Sequence, residues 1–218
     1  MKKAFVIVII SLLCLSGFAQ GIYFSGEEGM RLEYADKNAK GKATGYTVYE
    51  IQKIERQNAT NFYVTYMVSI FDDKHKALME GMEVIVKVID GTVYFDGSSL
   101  MGKLANNLNI KGNGIIIPSN IRVGQKLDDF SVTIEAIATT SACTDVTVVA
   151  EEKLTTEAGT FDTYRIDMKY AGKALFIKTE GTISQWYAKG IGEVKTINYD
   201  KKGKIATIKE LVNLTKKP

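Results

Sequence analysis

His75 is the single histidine among 218 residues, and it stands in "DDKHK", a polar stretch between two apolar runs. With Asp72 and Asp73 it forms the one grouping that could hold a cation or move a proton. A calcium loop needs a central glycine and a distal glutamate, and both are missing here. A lone histidine at a polar hairpin tip reads as an exposed turn residue. The carboxylate pairs Glu27-Glu28, Asp128-Asp129 and Glu151-Glu152 are chain neighbours. Adjacent residues of a strand point to opposite faces, so the members of a pair cannot share the cleft that glycoside hydrolysis requires. There is no G-x-S-x-G elbow, and "KGNG" at 111–114 is neither a phosphate loop nor a dinucleotide fingerprint. Cys143, in "TTSACTD", is expected to end a strand or lie in a loop. No catalytic residue, metal or cofactor is expected, and the chain is not read as an enzyme.

Apolar recognition is the chemistry that remains. Trp186 is the only tryptophan. A strand tryptophan usually packs a core, but in "TISQWYA" neither face is purely polar: Ile183, Gln185 and Tyr187 alternate with Ser184, Trp186 and Ala188. The segment Ile205–Leu214 also carries aliphatics on both faces, Ile205 and Leu211 against Ile208 and Val212. Strands covered on both sides fit a curved sheet that encloses either its own helix or a ligand. The residues expected to line such a hollow are Trp186, Tyr164, Met168, Leu100 and Leu104.

The elements that must position them are strands. Asp162, Tyr164, Ile166, Met168 and Tyr170 alternate with polar neighbours, and Phe62, Val64, Tyr66, Val68 and Ile70 repeat the pattern. So do Met82–Val88 and Val132–Ala138. Further strands are expected near residues 46–53, 93–95, 146–154, 175–179, 183–187, 193–199 and 205–214. "DDKHKA", Asp90-Gly91, "EAGTF" and "DKKGK" supply hairpin turns. Gly190 and Gly192 break the alternation after Trp186, as a bulge or tight bend would. One helix is expected over Ser98–Leu108, with Leu100, Met101, Leu104 and Leu108 on one stripe. The fold class is all-β: a curved antiparallel meander or partly open barrel with one short helix.

The chain opens "MKKAFVIVIISLLCLSGFAQG": two lysines, an apolar run too short to span a membrane, and a small-x-small site ending at Ala19. It reads as a signal peptide over residues 1–19, cleaved after Ala19, followed by a single β-rich domain over 20–218. Leu13 precedes Cys14 where lipidation needs a small residue, which argues against a lipoprotein signal. Export takes Lys2 and Lys3 from a formal charge of +3, so the mature protein is nearly neutral and carries no footprint for nucleic acid. Cys143 is left alone, with no partner for an intrachain disulfide.

Five segments, in order, carry a family resemblance: "GMRLEYADKNAKGK", "DGTVYFDGSSLM", "IPSNIRVGQKLDD", "EEKLTTEAGTFDTYRI" and "WYAKGIGEVKTINYDKKGK". The chain resembles the TapB-like family of secreted bacterial β-rich domains of unknown function. The resemblance implies a curved antiparallel sheet with a short helix in a periplasmic or cell-envelope compartment. It is similar in outline to the half-barrels of lipoprotein-localisation factors, which carry lipid chains; that comparison concerns the fold and not the function. Val88 stands where the family pattern has a cysteine, which argues against a redox role. The expected partner is an apolar small molecule or lipid held in the curve of the sheet. The alternative is a structural or interaction module with a solid core that pairs with an envelope protein.

Overall fold

The computed structural model of the chain describes residues 21–95, 110–135, 138–174 and 177–216. Within them lie thirteen strands: β1 (Met30–Asn38), β2 (Ala43–Arg56), β3 (Phe62–Asp72), β4 (Ala77–Ile89), β5 (Thr92–Tyr94), β6 (Ile110–Asn113), β7 (Ile116–Ile117), β8 (Phe130–Ile134), β9 (Thr139–Thr156), β10 (Gly159–Ala174), β11 (Ile177–Ala188), β12 (Gly192–Asp200) and β13 (Ile205–Lys216). All join one antiparallel sheet in the order β6-β8-β9-β10-β11-β12-β13-β1-β2-β3-β4-β5-β7. Two meanders, β1–β5 and β8–β13, are thus sewn together by the pairing of the first strand with the last. The all-β expectation holds. The helix expected over Ser98–Leu108, with Leu100 and Leu104, lies outside the described residues, as does the N-terminal segment 1–20.

The two edges of the sheet, β6 and β7, are separated by Gly114 and Ile115 alone. That connection reaches roughly 11 Å at most, so the sheet has to curl until its edges stand close together. Among the described residues no ladder joins β6 to β7. The result is a barrel left open along one seam.

Alternation sets the core. On β3, Phe62, Val64, Tyr66 and Val68 are buried, and Val84, Val86 and Val88 face them from β4. The chain entering β1 adds to this interior: Ile22, Tyr23 and Ser25 are buried, and Gly190 N–H donates to the Ile22 carbonyl at 2.8 Å.

Three hairpins share one turn design. Asn38, Asp72 and Asp200 each accept backbone N–H bonds from the residues two and four positions on, at 2.8–3.2 Å. The position between those donors takes a left-handed conformation: Gly41 (φ 77°), His75 (φ 59°) and Gly203 (φ 73°). Histidine tolerates that region better than bulkier branched residues, and its ring stacks on Tyr46 with centroids 4.1 Å apart. His75 is thus the exposed turn residue that its polar setting predicts. Asp90 (φ 49°) and Gly91 (φ 74°) form the tight turn expected of the Asp-Gly pair.

Three sequence expectations are corrected. β1 was not anticipated, because Met30, Leu32 and Tyr34 give only three alternating apolar positions before Ala35 and Asp36. β8 ends at Ile134 instead of running on to Ala138, which turns with φ 47°. Cys143 lies inside β9 and is buried; the small polar residues around it disguise the first part of an 18-residue strand.

Candidate functional site

Inside the curl is a cavity of about 270 Å³. Both meanders supply its walls: Leu32 from β1, Tyr49 from β2 and Tyr66 from β3 face Phe130 and Val132 from β8. A diagonal of rings follows from register. Tyr34 meets Tyr49 edge-on at 5.3 Å, Tyr49 meets Tyr66 at 5.6 Å, and Tyr66 meets Phe24 at 5.8 Å, with Phe95 beyond. Such edge-to-face contacts each add about 0.5–1.5 kcal/mol beyond burial. Gly192 takes φ 101°, a conformation that residues with a side chain rarely adopt, although a Cβ there would meet Phe24 only at an ordinary 3.6 Å.

One end of this apolar space is charged. Lys209 Nζ donates to the Tyr49 hydroxyl at 2.9 Å and lies 3.5 Å from Glu193 Oε1. It also sits over the rings of Tyr34 and Tyr49, 4.7 and 4.9 Å from their centroids, where the ring quadrupoles attract a cation. Burial works against the ammonium, but Glu193, Tyr49 and Tyr34 outweigh it and hold its pKa well above the ordinary lysine value. Gln185 Nε2 donates to Glu193 Oε2 at 3.1 Å, and the Tyr34 hydroxyl donates to the Glu193 carbonyl at 2.6 Å. Burial, with the Glu193 charge next, pushes the Tyr187 phenol well up. Two polar atoms of the cavity lining, Ser25 Oγ and Glu193 Oε1, are buried without a hydrogen-bond partner.

Both charges reach the interior through bulges. In β12 the register with β11 slips so that Trp186 faces Lys195 and Tyr187 faces Glu193, leaving Val194 as the extra residue. Glu193 is thereby opposite an inward side chain. In β13 the register with β1 slips at Val212: Leu32 faces Leu214, while Tyr34 faces Leu211. Inward positions change from even to odd, which places Lys209 on the same face as the fully buried Leu211. A bulge re-aims side chains in this way, while the glycines at 190 and 192 form the tight bend between β11 and β12.

The residues predicted from sequence lie elsewhere. Gln185 and Tyr187 line the cavity, so Trp186 between them faces the opposite side of β11. There its Nε1 donates to Glu152 Oε1 at 2.7 Å, and Arg165 lies 6.0 Å from its ring. Tyr164 packs edge-on against Tyr23 at 6.0 Å, and Met168 is buried in the core. Neither lines the cavity. Leu100 and Leu104 are outside the described residues. The neighbours Glu151 and Glu152 part as strand geometry demands, Glu151 bonding Tyr164 and Glu152 bonding Trp186. Burial lifts the Cys143 thiol to about 11, a poor state for a nucleophile. Sequence reading missed Tyr34, Tyr49, Glu193 and Lys209. The signal available for Lys209 was its two-residue spacing from Leu211.

Among the described residues no helix is long and apolar enough to cross a membrane. The fold has solved counterparts. A Bacteroides fragilis protein, described as exported and YmcC-like in fold, superposes with a TM-score of 0.75 at 20% identity, covering 90% of this chain and 100% of its own. A Parabacteroides distasonis protein described as a lipoprotein gives 0.72 at 18% identity, covering 89% and 99%. At these identities the likeness concerns the fold. No curated protein matches the chain. A family model does match, over residues 27–211, and its description is DUF3108-like, which does not carry the TapB-like name. With most of the chain matched, the protein belongs to the DUF3108-like family.

Proposed function

We propose that the protein is a non-catalytic binding protein of the cell envelope that holds an apolar chain inside its open barrel. The observation that carries this reading is the cavity of about 270 Å³, walled by aromatic and aliphatic side chains with a few polar groups at one end. Ligand sites are commonly apolar hollows with a small number of placed polar groups, and barrel mouths are a frequent setting. The alternative of a solid-core interaction module has less support, because a packed interior would not leave this volume open. Export is supported by the tripartite N-terminus and by the descriptions of the two structural counterparts. The TapB-like resemblance agrees with an envelope role.

The test is native mass spectrometry of the protein purified from its own host, followed by solvent extraction. An added mass released as an amphiphile is expected, together with binding of an uncharged naphthylamine fluorophore that Phe95→Ala weakens. Protein of bare chain mass that fails to bind the fluorophore would refute the reading.

A further inference from the structure

Three residues, Gln185, Glu193 and Lys209, border two cavities at once. On one side is the apolar cavity. On the other is a polar one of about 340 Å³, whose walls carry the hydroxyls and amide of Thr44, Thr196, Thr207 and Asn198. The three side chains therefore stand where an amphiphile would pass from its chain to its head. From their chemistry we infer that the ligand head is uncharged and rich in hydroxyl groups, and that the site selects against an anionic head. This inference rests on the binding function proposed above.

The head group that fits depends on which atoms are already satisfied. The Lys209 ammonium has Glu193 at 3.5 Å, the Tyr49 hydroxyl at 2.9 Å and two aromatic faces. Its charge is answered within the protein. An incoming carboxylate would share that one ammonium with Glu193 in a low-dielectric space, where like charges repel strongly. Glu193 Oε1 is buried and accepts no hydrogen bond. That oxygen is closed to a ligand and faces the ammonium from within the protein, so Lys209 has no unanswered charge to offer an anionic head. Charge is balanced in the polar cavity as well, with Asp36 and Glu193 set against Lys37 and Lys209. Hydroxyl and amide side chains exchange hydrogen bonds with hydroxyl groups in either direction.

The experiment measures displacement of the naphthylamine fluorophore from the full protein by monodecanoylglycerol and by decanoate, which share a chain and differ in head. In the wild type the glycerol ester should displace at concentrations at least tenfold lower. In Glu193→Gln, Lys209 loses its internal counter-ion, and the preference for the ester over decanoate should shrink at least tenfold. Equal displacement by both ligands in the wild type, or an unchanged ratio in the variant, would overturn the uncharged-head assignment while leaving ligand binding intact. A protein that binds neither the fluorophore nor the ligands would remove the binding function and this inference with it. If Glu193→Gln does not fold, the wild-type ratio decides alone.

Discussion

Replacing Lys209 with methionine tests whether the buried pair acts as a unit. Methionine keeps the unbranched apolar stem and removes the charge. Breaking a buried ion pair by deleting one partner costs about 3–5 kcal/mol when both groups are sealed from water. Here the discount is substantial. Nζ and Oε1 are 3.5 Å apart, beyond a strong hydrogen bond, and the two side chains keep 25% and 21% of their surface accessible. A cost of about 2 kcal/mol is therefore expected, part of it the lost bond to Tyr49 at roughly 1 kcal/mol. Glu193→Gln alone should cost about 1 kcal/mol, since the tyrosine faces still hold the ammonium. Combining the two removes both charges, and the double variant should be about 1 kcal/mol more stable than the sum of the singles predicts. Urea unfolding read by tryptophan fluorescence and by circular dichroism supplies the four midpoints. Additivity within about 0.3 kcal/mol, the usual behaviour of independent sites, would show that cavity water screens the pair and that it is not a coupled element.

Two further outcomes are expected. Trp186→Phe should cost about 1–2 kcal/mol through the lost Glu152 bond while leaving fluorophore affinity within twofold; a loss matching that of Phe95→Ala would return the site to the outer face. Glu210 is 14% exposed and accepts from Lys37 at 2.8 Å and Lys195 at 2.7 Å. Burial alone would raise its carboxyl pKa, but the two lysines hold it below the ordinary 4.5. Its stabilisation is therefore complete above about pH 4.5 and is lost as pH falls through the lower folded value. Glu210→Gln should lower the urea midpoint at pH 7 by the equivalent of about 1–2 kcal/mol, and the gap should close in acid. A gap that stays constant down to pH 3 would contradict the pairing.

The fold was legible where alternation is long. β3 and β4 show period two over enough residues for the buried face to be read directly from sequence, and the turn at Asp90-Gly91 is written in residue types. β1 was not legible. Its apolar alternation is three positions long, and its central place comes from pairing with β13, a partner distant in the chain. The shared turn design of Asn38, Asp72 and Asp200 was half visible: the turns after Asp72 and Asp200 read as turns, the one after Asn38 did not, and His75 in the glycine position drew attention as chemistry.

The candidate site was harder to read, for a physical reason that concerns parity. A strand read with one unbroken period from Leu214 puts Lys209 outside, and β12 read the same way from Thr196 puts Glu193 outside. Both side chains point inward because one extra residue, Val212 in β13 and Val194 in β12, reverses the count. The sequence carries a trace of the first reversal, since Ile208 and Val212 lie in one parity and Ile205 and Leu211 in the other. Periodicity alone reads that trace as a strand covered on both sides. Bulges also bend and twist the strand that carries them, and bends of this kind allow a sheet to curl into a barrel. Curvature and polarity of the cavity therefore share an origin. The irregularities that help thirteen strands enclose a hollow also turn a lysine and a glutamate into it, and their pairing makes two interior charges tolerable.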